Sequence, residues 1–567
     1  MTVAPKVRAW ATALGILLLF VLLTWPLIVD SPHLLGDAQT DAWLIAHQAE
    51  SLRQGYLPSH FLHSNSGIFY GVFAFYGGTL FALAGTLSLI VGSAIAAQTI
   101  VYILALATAY GGWFWLARMA GLRSWPAHAP ALLFITAPYV LSNVDGRQDL
   151  AETVATAVIP LLLASALSIL RADRLRAGPY AALAMSTILV GGSHNLTLLW
   201  ATTILGLTAL ILLAGVPQAR LMVTRRGALR VLVVIVPAMA VNAWYLLPDL
   251  AYHSDTVIAQ RIDEWRATVR IPGPALDTTH LFALGRSSAL AGSGFVGALP
   301  VLAIFWVLIA AVAVGRRRRD AWARTLMILS LLSVGVTIVM KHPRLITVLP
   351  DPWQMIQFSF RLETFVLFGI CGAVVAALVL LGPDTHRRLT ALLLPILALS
   401  VIGALKQVHD VPRRPDTVPS TIDNLTAFST GDFADASLKP RPQDARPQVV
   451  AFKRSDVHRD RFETTFRARP RDIIYLDLMA ISQMIDVQGA RVVGRWPAEP
   501  YNPGWQLRWF LALQINDDAT PGRAHVVIRE ARTLPIVSGR IISILGLLGL
   551  AANAAVIARG HRRRREA

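Results

Sequence analysis

The chain has 567 residues, of which 54% are hydrophobic and only 15% charged, against about 25% charged in a soluble domain. That deficit excludes an ordinary soluble globule, and the apolar content excludes a disordered chain. The single cysteine, Cys371, excludes a disulfide scaffold and any Cys-based zinc or iron–sulfur centre. The net charge of +18 reads as the Arg excess of cytoplasmic loops rather than a nucleic-acid footprint, so no nucleic-acid partner is expected. Arg outnumbers Lys 47 to 5 in an Ala-rich chain, which points to a GC-rich bacterial genome.

Crossing a bilayer takes about 20 apolar residues. Thirteen stretches qualify: 8–29, 67–91, 93–117, 125–142, 152–170, 178–194, 196–215, 229–248, 297–315, 324–340, 361–381, 389–405 and 538–558. The first lacks a small-residue cleavage site and reads as a retained span. Placing Lys6 and Arg8 inside and letting all thirteen cross puts every later basic cluster outside. If 67–91 does not cross, 23 basic residues face the cytoplasm and nine line the short outer loops. Loop charge sets orientation, so twelve helices are expected, with both termini cytoplasmic. The segment 67–91, rich in aromatics and glycine (Phe69, Tyr70, Phe73, Phe75, Tyr76, Gly77, Gly78), is expected on or dipping into the outer face.

The outer face then carries 30–92, 143–151, 249–296, 341–360 and the region 406–537. This last region is long enough for a domain. It begins Pro- and Asp-rich, then alternates with period two over 460–469, 472–480, 505–515 and 523–531, which predicts a small β-sandwich tethered by the last span. The domains expected are therefore 1–405, 406–537, and 538–567 with its basic tail. No phosphate loop, Rossmann glycine fingerprint or H-E-x-x-H helix is present.

The informative residues are ionisable groups at the outer boundary, which fall into four clusters. In Gly36-Asp37-Ala38-Gln39-Thr40-Asp41, the two acids lie four apart and share one helix face. A helix cap accounts for one of them, not both. In Asn143-Val144-Asp145-Gly146-Arg147-Gln148-Asp149-Leu150-Ala151-Glu152, a charged turn links two spans; the bland reading is a solvated loop with a local ion pair. Glu152, at the start of a span, must be kept wet or paired. In Gly191-Gly192-Ser193-His194-Asn195-Leu196-Thr197, polar residues interrupt an apolar region; His194 reads more readily as structural than as catalytic. Lastly, Lys341, Arg344 and Arg361 stand near Trp353 at the outer headgroup level, against the charge bias. A lipid phosphate would explain them, as would ordinary headgroup binding or an Arg361–Glu363 pair.

In order, Gly36-Asp37, Gly55-Tyr56-Leu57-Pro58, Phe75-Tyr76, Arg147 to Glu152, His194-Asn195-Leu196-Thr197 and Ile356-Gln357-Phe358 with Arg361 resemble the C-type glycosyltransferase (GT-C) superfamily of polytopic membrane enzymes. Closer still, they resemble the bacterial membrane proteins labelled as related to 6-pyruvoyl-tetrahydropterin synthase, and the YfhO-like proteins. The resemblance covers roughly residues 10–375. It departs at Gly77-Gly78, where relatives commonly carry a proline pair, and at Asp41, where they often carry His. It implies a GT-C-like helical domain, a polyprenyl-phosphate-linked sugar as donor, Asp37 as the catalytic acid-loop residue and Arg361 in the donor-phosphate site.

Two readings compete. In the first, a glycosyltransferase of the bacterial plasma membrane moves a sugar from a polyprenyl phosphate to an envelope glycan, lipid or protein acceptor outside. A carboxylate, Asp37 or Asp41, takes the acceptor proton, while Lys341, Arg344 and Arg361 hold the departing phosphate. The reaction proceeds by single displacement with inversion. Asp145, Arg147, Asp149, Glu152 and His194 support the site. A divalent cation such as Mg or Mn on Asp37 and Asp41, with Asp145 and Asp149 as further oxygen donors, is left open. In the second, the chain is a flippase for a lipid-linked glycan, but no midplane charge chain or broken-helix pair marks it. A non-catalytic scaffold is a third option, and it would need no acid at Asp37.

Overall fold

The computed structural model describes residues 5–29, 37–56, 58–61, 71–123, 125–174, 176–260, 298–316, 320–356, 359–410, 438, 449–450, 461–476, 480–497 and 509–566. The Phe69–Tyr70 run, most of the outer segment 249–296, Gln357-Phe358 and the Pro- and Asp-rich stretch from 411 lie outside these residues. In chain order the helices are α1 (Pro5–Val29), α2 (Ala38–Arg53), α3 (Val72–Phe75), α4 (Gly78–Val91), α5 (Ala94–Met119), α6 (Ala129–Ile135), α7 (Pro138–Leu141), α8 (Leu150–Arg171), α9 (Ala177–Ser193), α10 (Asn195–Gly215), α11 (Pro217–Met222), α12 (Arg225–Ala240), α13 (Ala243–Tyr252), α14 (Val257–Gln260), α15 (Ala298–Arg316), α16 (Ala321–Lys341), α17 (Asp351–Gln354), α18 (Glu363–Asp410) and α19 (Leu534–Glu566).

Among the described residues six helices are long and apolar enough to cross a membrane, or eight if two bent pairs each count as one span. The bends have local causes. Pro138, which lacks an N–H, opens the second arm of the pair Trp125–Ile135 and Pro138–Gly146, bent by 50°. Pro237 precedes the 68° bend between α12 and α13. Other expected spans fall on shorter apolar helices, including Thr12–Ile28, Phe305–Arg316 and Leu397–Lys406. Among the described residues of the segment 67–91, the helices are α3 and the 14-residue α4, the latter about 21 Å long at 1.5 Å per residue.

The helical assignment of α18 runs unbroken for 48 residues, where the sequence suggests two spans, 361–381 and 389–405. A straight helix would place Phe368 and Ser400 about 48 Å apart. Yet Phe368 packs on Phe134 with ring centroids 5.4 Å apart, and Ser400 hydrogen-bonds Thr136 at 2.7 Å. The chain therefore bends sharply within α18, and both of its arms reach the C-terminal end of α6. The first arm is central: 78% of the most apolar 18 residues within Ser359–Leu381 are buried, against 11% within Leu534–Arg559. It packs against α16, and Trp113 of α5 meets Phe368 with ring centroids 5.4 Å apart; α5 in turn packs on α8. A Cβ on Gly112 would sit 2.4 Å from the Leu161 nitrogen, so only glycine permits this approach of α5 to α8.

The terminal region forms two sheets. One has strand order β1-β3-β6-β5 and the other β2-β7-β4, with β1 Val449–Val450, β2 Arg461–Phe466, β3 Ile473–Leu476, β4 Ile485–Gln488, β5 Ala490–Pro497, β6 Trp509–Ile515 and β7 Ala524–Glu530. All pairings are antiparallel except β1 with β3. Inward residues of both sheets (Phe462, Ile474, Leu476, Leu511, Val526, Ile528) share one apolar core, which also takes Phe61, Phe75 and Tyr252 from the helical part. Strands β4 and β5 are additions to the expected set. They turn tightly over Gly489 (φ +82°), and this short connection carries the chain from one sheet to the other. Of the expected strand 472–480, Ile473–Leu476 pair with β6; residues 477–479 lie outside the described residues.

Candidate active site

The site forms where the start of α2 meets the turn before α8. The backbone N–H of Asp37 donates to the Arg147 carbonyl at 3.0 Å, tying the two segments together. Asp37 stands at the N-cap position of α2, yet its side chain makes no capping bond. Instead its carboxylate lies 3.3 Å from Arg147 Nε and is 51% exposed. A carboxylate both paired and half open to solvent can still receive a proton from an incoming group.

The turn carrying Arg147 is wound unusually. Residues Ser142–Gly146 form a π-helical turn, a feature frequent at functional sites. Gln148 then adopts the left-handed region at φ 54°, which costs a non-glycine residue about 1–3 kcal/mol. Asp149 follows as the N-cap of α8, accepting from the Glu152 N–H at 2.8 Å. This path turns Arg147 back over the helix it precedes. Arg147 pairs with Asp149 and, at 3.0 Å, with Glu152, and lies 5.9 Å from the centre of the Phe360 ring.

Glu152 is the hub. It is 1% exposed and ion-paired to Arg147 and, at 3.6 Å, to Arg361 from the turn just before α18. Tyr139 donates to it, and so does Asn143 Nδ2 at 3.3 Å. Arg361 also reaches His194 Nε2 at 3.0 Å. Arg361 can only donate, so Nε2 accepts; Nδ1 faces Thr197, lying 2.7 Å from its Oγ1 and accepting from its backbone N–H at 3.2 Å. Asp37, Arg147, Asp149, Glu152, Arg361 and His194 thus form one continuous network.

The remaining expected residues stand apart from it or at its edge. Asp41 is buried and accepts from the Leu150 N–H at 2.9 Å. Burial, and then Asp37, pushes its carboxyl well above the usual carboxylate range, so its charged form is disfavoured. Asp145 is buried with no hydrogen-bond partner among the described residues. Arg344 is exposed on the short helix Pro343–Val348 and makes no ion pair among the described residues. The Lys341 side chain lies outside the described residues. Spacing alone did not single out Tyr139, Thr197 or Phe360. Tyr139 reads as part of an apolar span, and only the fold shows its hydroxyl aimed at a buried acid.

The ligand atoms of Asp149, Glu152 and His194 lie within 4.8 Å of one another, a donor set that suits a divalent ion. Each of the three is already engaged by Arg147 or Arg361. A cation there would have to displace a guanidinium, so the present arrangement fits an ion-pair network better than a metal centre. Asp37 and Asp41 belong to no such group among the described residues.

No family model and no curated protein matches the chain. Among solved structures, it is similar to the mycobacterial arabinofuranosyltransferase AftD at 16% identity, over 72% of this chain and 28% of that one, with a TM-score of 0.36. It is similar to the oligosaccharyltransferase AglB from Archaeoglobus fulgidus, solved with an inhibitory peptide and a dolichol-phosphate, at 14% identity over 77% of this chain and 62% of that one, with a TM-score of 0.44. A third is ArnT from Cupriavidus metallidurans, bound to undecaprenyl phosphate: 14% identity, 66% of this chain, 80% of that one and a TM-score of 0.29. The chain thus spans 28% and 62% of the length of the first two.

Proposed function

We propose that the chain is a multi-pass bacterial membrane glycosyltransferase of the GT-C type. In this reading twelve helices cross with both termini cytoplasmic, and the two sheets pack as an extracytoplasmic sandwich. The donor is a polyprenyl-phosphate sugar and the acceptor an envelope glycan, lipid or protein. The observation that carries the reading is the half-exposed, non-capping carboxylate of Asp37 set against the buried Arg147–Glu152–Arg361 network. Asp37 takes the proton of the acceptor hydroxyl as its oxygen attacks the anomeric carbon. The bond from that carbon to the phosphate oxygen breaks on the opposite side, inverting the configuration, and the lipid phosphate leaves with the electron pair.

The cations beside the acid stabilise that developing charge where water is scarce. Two guanidiniums already set against three carboxyl groups (Asp37, Asp149 and Glu152) leave the described network little positive charge to offer a phosphate. Lys341 and Arg344, at the same outer level, supply the surplus in this proposal. The likeness to the YfhO-like proteins belongs to the same reading.

Purified protein given labelled polyprenyl-phosphate sugars should release lipid phosphate and transfer the label. An Asp37→Asn variant keeps the shape of the side chain and removes its proton-accepting charge. It should unfold at the wild-type temperature while transferring about 10²–10⁴-fold more slowly. Transfer at the wild-type rate by Asp37→Asn would remove Asp37 from the chemistry.

A further inference from the structure

The proposed chemistry does not use the run Phe75-Tyr76-Gly77-Gly78, yet the fold brings it to the site. Tyr76 closes α3 in an extended conformation (φ −145°, ψ 116°), and its backbone N–H donates to the Val72 carbonyl at 2.8 Å. Gly77 follows in the left-handed region at φ +58°, where a Cβ would come 2.9 Å from the Ser193 carbonyl oxygen. A Cβ on Gly78 would come 2.6 Å from the Phe73 carbonyl oxygen and 2.9 Å from the Trp244 ring. The two glycines therefore let this turn lie tightly against the end of α9, and they fix the backbone beside Tyr76. The Tyr76 ring is held as well. Its centroid lies 6.1 Å from that of Phe81, and it stands edge-on to His194, with centroids 5.8 Å apart and planes at 89°.

His194 is the residue whose Nε2 accepts from Arg361, so the Tyr76 ring borders the ionic network. Its hydroxyl lies within electrostatic reach of Asp41, Asp37, Arg361 and Arg147 together. Tyr139 provides a contrast: it is buried, and its hydroxyl donates to Glu152. Tyr76 is only half-buried, and its hydroxyl makes no hydrogen bond among the described residues. The Asp37 and Asp41 carboxylates are turned to Arg147 and to the Leu150 N–H instead. Burial, then Asp41 and Asp37, pushes the Tyr76 phenol well above its ordinary value of 10, with Arg361 and Arg147 offsetting only part. The group stays protonated and is a neutral donor with nothing in the protein to donate to.

We propose that the Tyr76 hydroxyl is a catalytic hydrogen-bond donor to the leaving phosphate of the polyprenyl-phosphate sugar. The assignment rests on the donor reading above and adds a neutral group to it. Arg147 and Arg361 are engaged by carboxyl groups, whereas a phenol donates to a phosphate oxygen without entering that charge balance. As the bond from the anomeric carbon to the phosphate oxygen breaks, the electron pair stays on that oxygen. Phosphate is a far weaker base than phenolate, so the Tyr76 O–H bond remains intact and no proton is transferred. The hydrogen bond strengthens as the oxygen gains charge, and a ring already fixed in place needs no reorganisation to make it.

Tyr76→Phe removes one oxygen and keeps both ring contacts. It should unfold at the wild-type temperature, because no hydrogen bond within the protein is lost. The full-length protein in nanodiscs is titrated with undecaprenyl phosphate, the leaving group itself, and with undecaprenol as the phosphate-free probe. The wild type should bind the phosphate more tightly. Tyr76→Phe should bind it about 10–100-fold more weakly than the wild type does, with its affinity for undecaprenol unchanged. Raising salt should weaken phosphate binding with the same slope in Tyr76→Phe as in the wild type, since no charge is removed, and with a flatter slope in Arg361→Ala. Wild-type affinity for undecaprenyl phosphate in Tyr76→Phe would overturn the assignment and leave the donor reading standing. A slope flattened as in Arg361→Ala would also overturn it, because the ring would then act only by propping His194 and Arg361. A wild type that does not distinguish the two lipids would remove the donor reading itself, and the assignment with it.

Discussion

Asp37 and Asp41 are four residues apart in one short helix, yet the fold gives them opposite surroundings. Asp37 is half exposed and faces Arg147, whereas Asp41 is sealed against the Leu150 N–H. Sequence spacing places both on one face and cannot rank them, because the ranking depends on a turn more than a hundred residues away. Asp41→Ala would leave that N–H without a partner and should cost about 1–3 kcal/mol. Asp41→Asn keeps an acceptor and should melt close to wild type, which thermal unfolding of the two variants will compare. Arg361 sits at the other end of the network. Arg361→Ala should weaken binding of a polyprenyl-phosphate sugar, and the wild-type affinity should fall as salt is raised. An unchanged dissociation constant in Arg361→Ala would remove it from the donor site.

Among the elements, the turn 142–149 matters most for the site, and its sequence conceals its conformation. The acids and Arg147 are visible as a charged run, and the bland expectation is a solvated loop. In the structure Asp149 is 2% and Glu152 1% exposed. Burial is tolerable because each charge meets an opposite one, and removing one partner strands the other. The short connection between β4 and β5 shows the reverse case, in which local sequence is decisive. A Cβ on Gly489 would lie 2.0 Å from the His525 carbonyl oxygen, and its φ is +82°. Gly489→Ala should therefore destabilise the sheet region by at least about 1–3 kcal/mol, read as a lower melting temperature.

At the scale of the whole molecule, orientation and acid stability are the testable properties. In the twelve-span arrangement Arg123 faces the cytoplasm, so a cysteine introduced there should resist a membrane-impermeant reagent in intact cells; labelling from outside would defeat the arrangement. Glu530 lies well below its ordinary value of 4.5, at about 2. A depressed carboxyl contributes stability that is complete above about 4.5 and is lost as pH falls through about 2. The wild type should lose melting temperature across that window, while Glu530→Gln should start lower and change less. The sequence by itself determined the membrane character, the apolar helices and the existence of a terminal strand-rich region. These follow from composition and short-range periodicity, which a linear chain displays directly. It also marked the charged clusters, because ionisable groups beside long apolar runs are conspicuous. Only the tertiary structure decided which of them meet: Glu152 with Arg361, His194 with Arg361, and His60 with Glu530 and Trp244. Those contacts join residues far apart in the chain, and their energies arise from burial and mutual distance, neither of which local sequence encodes.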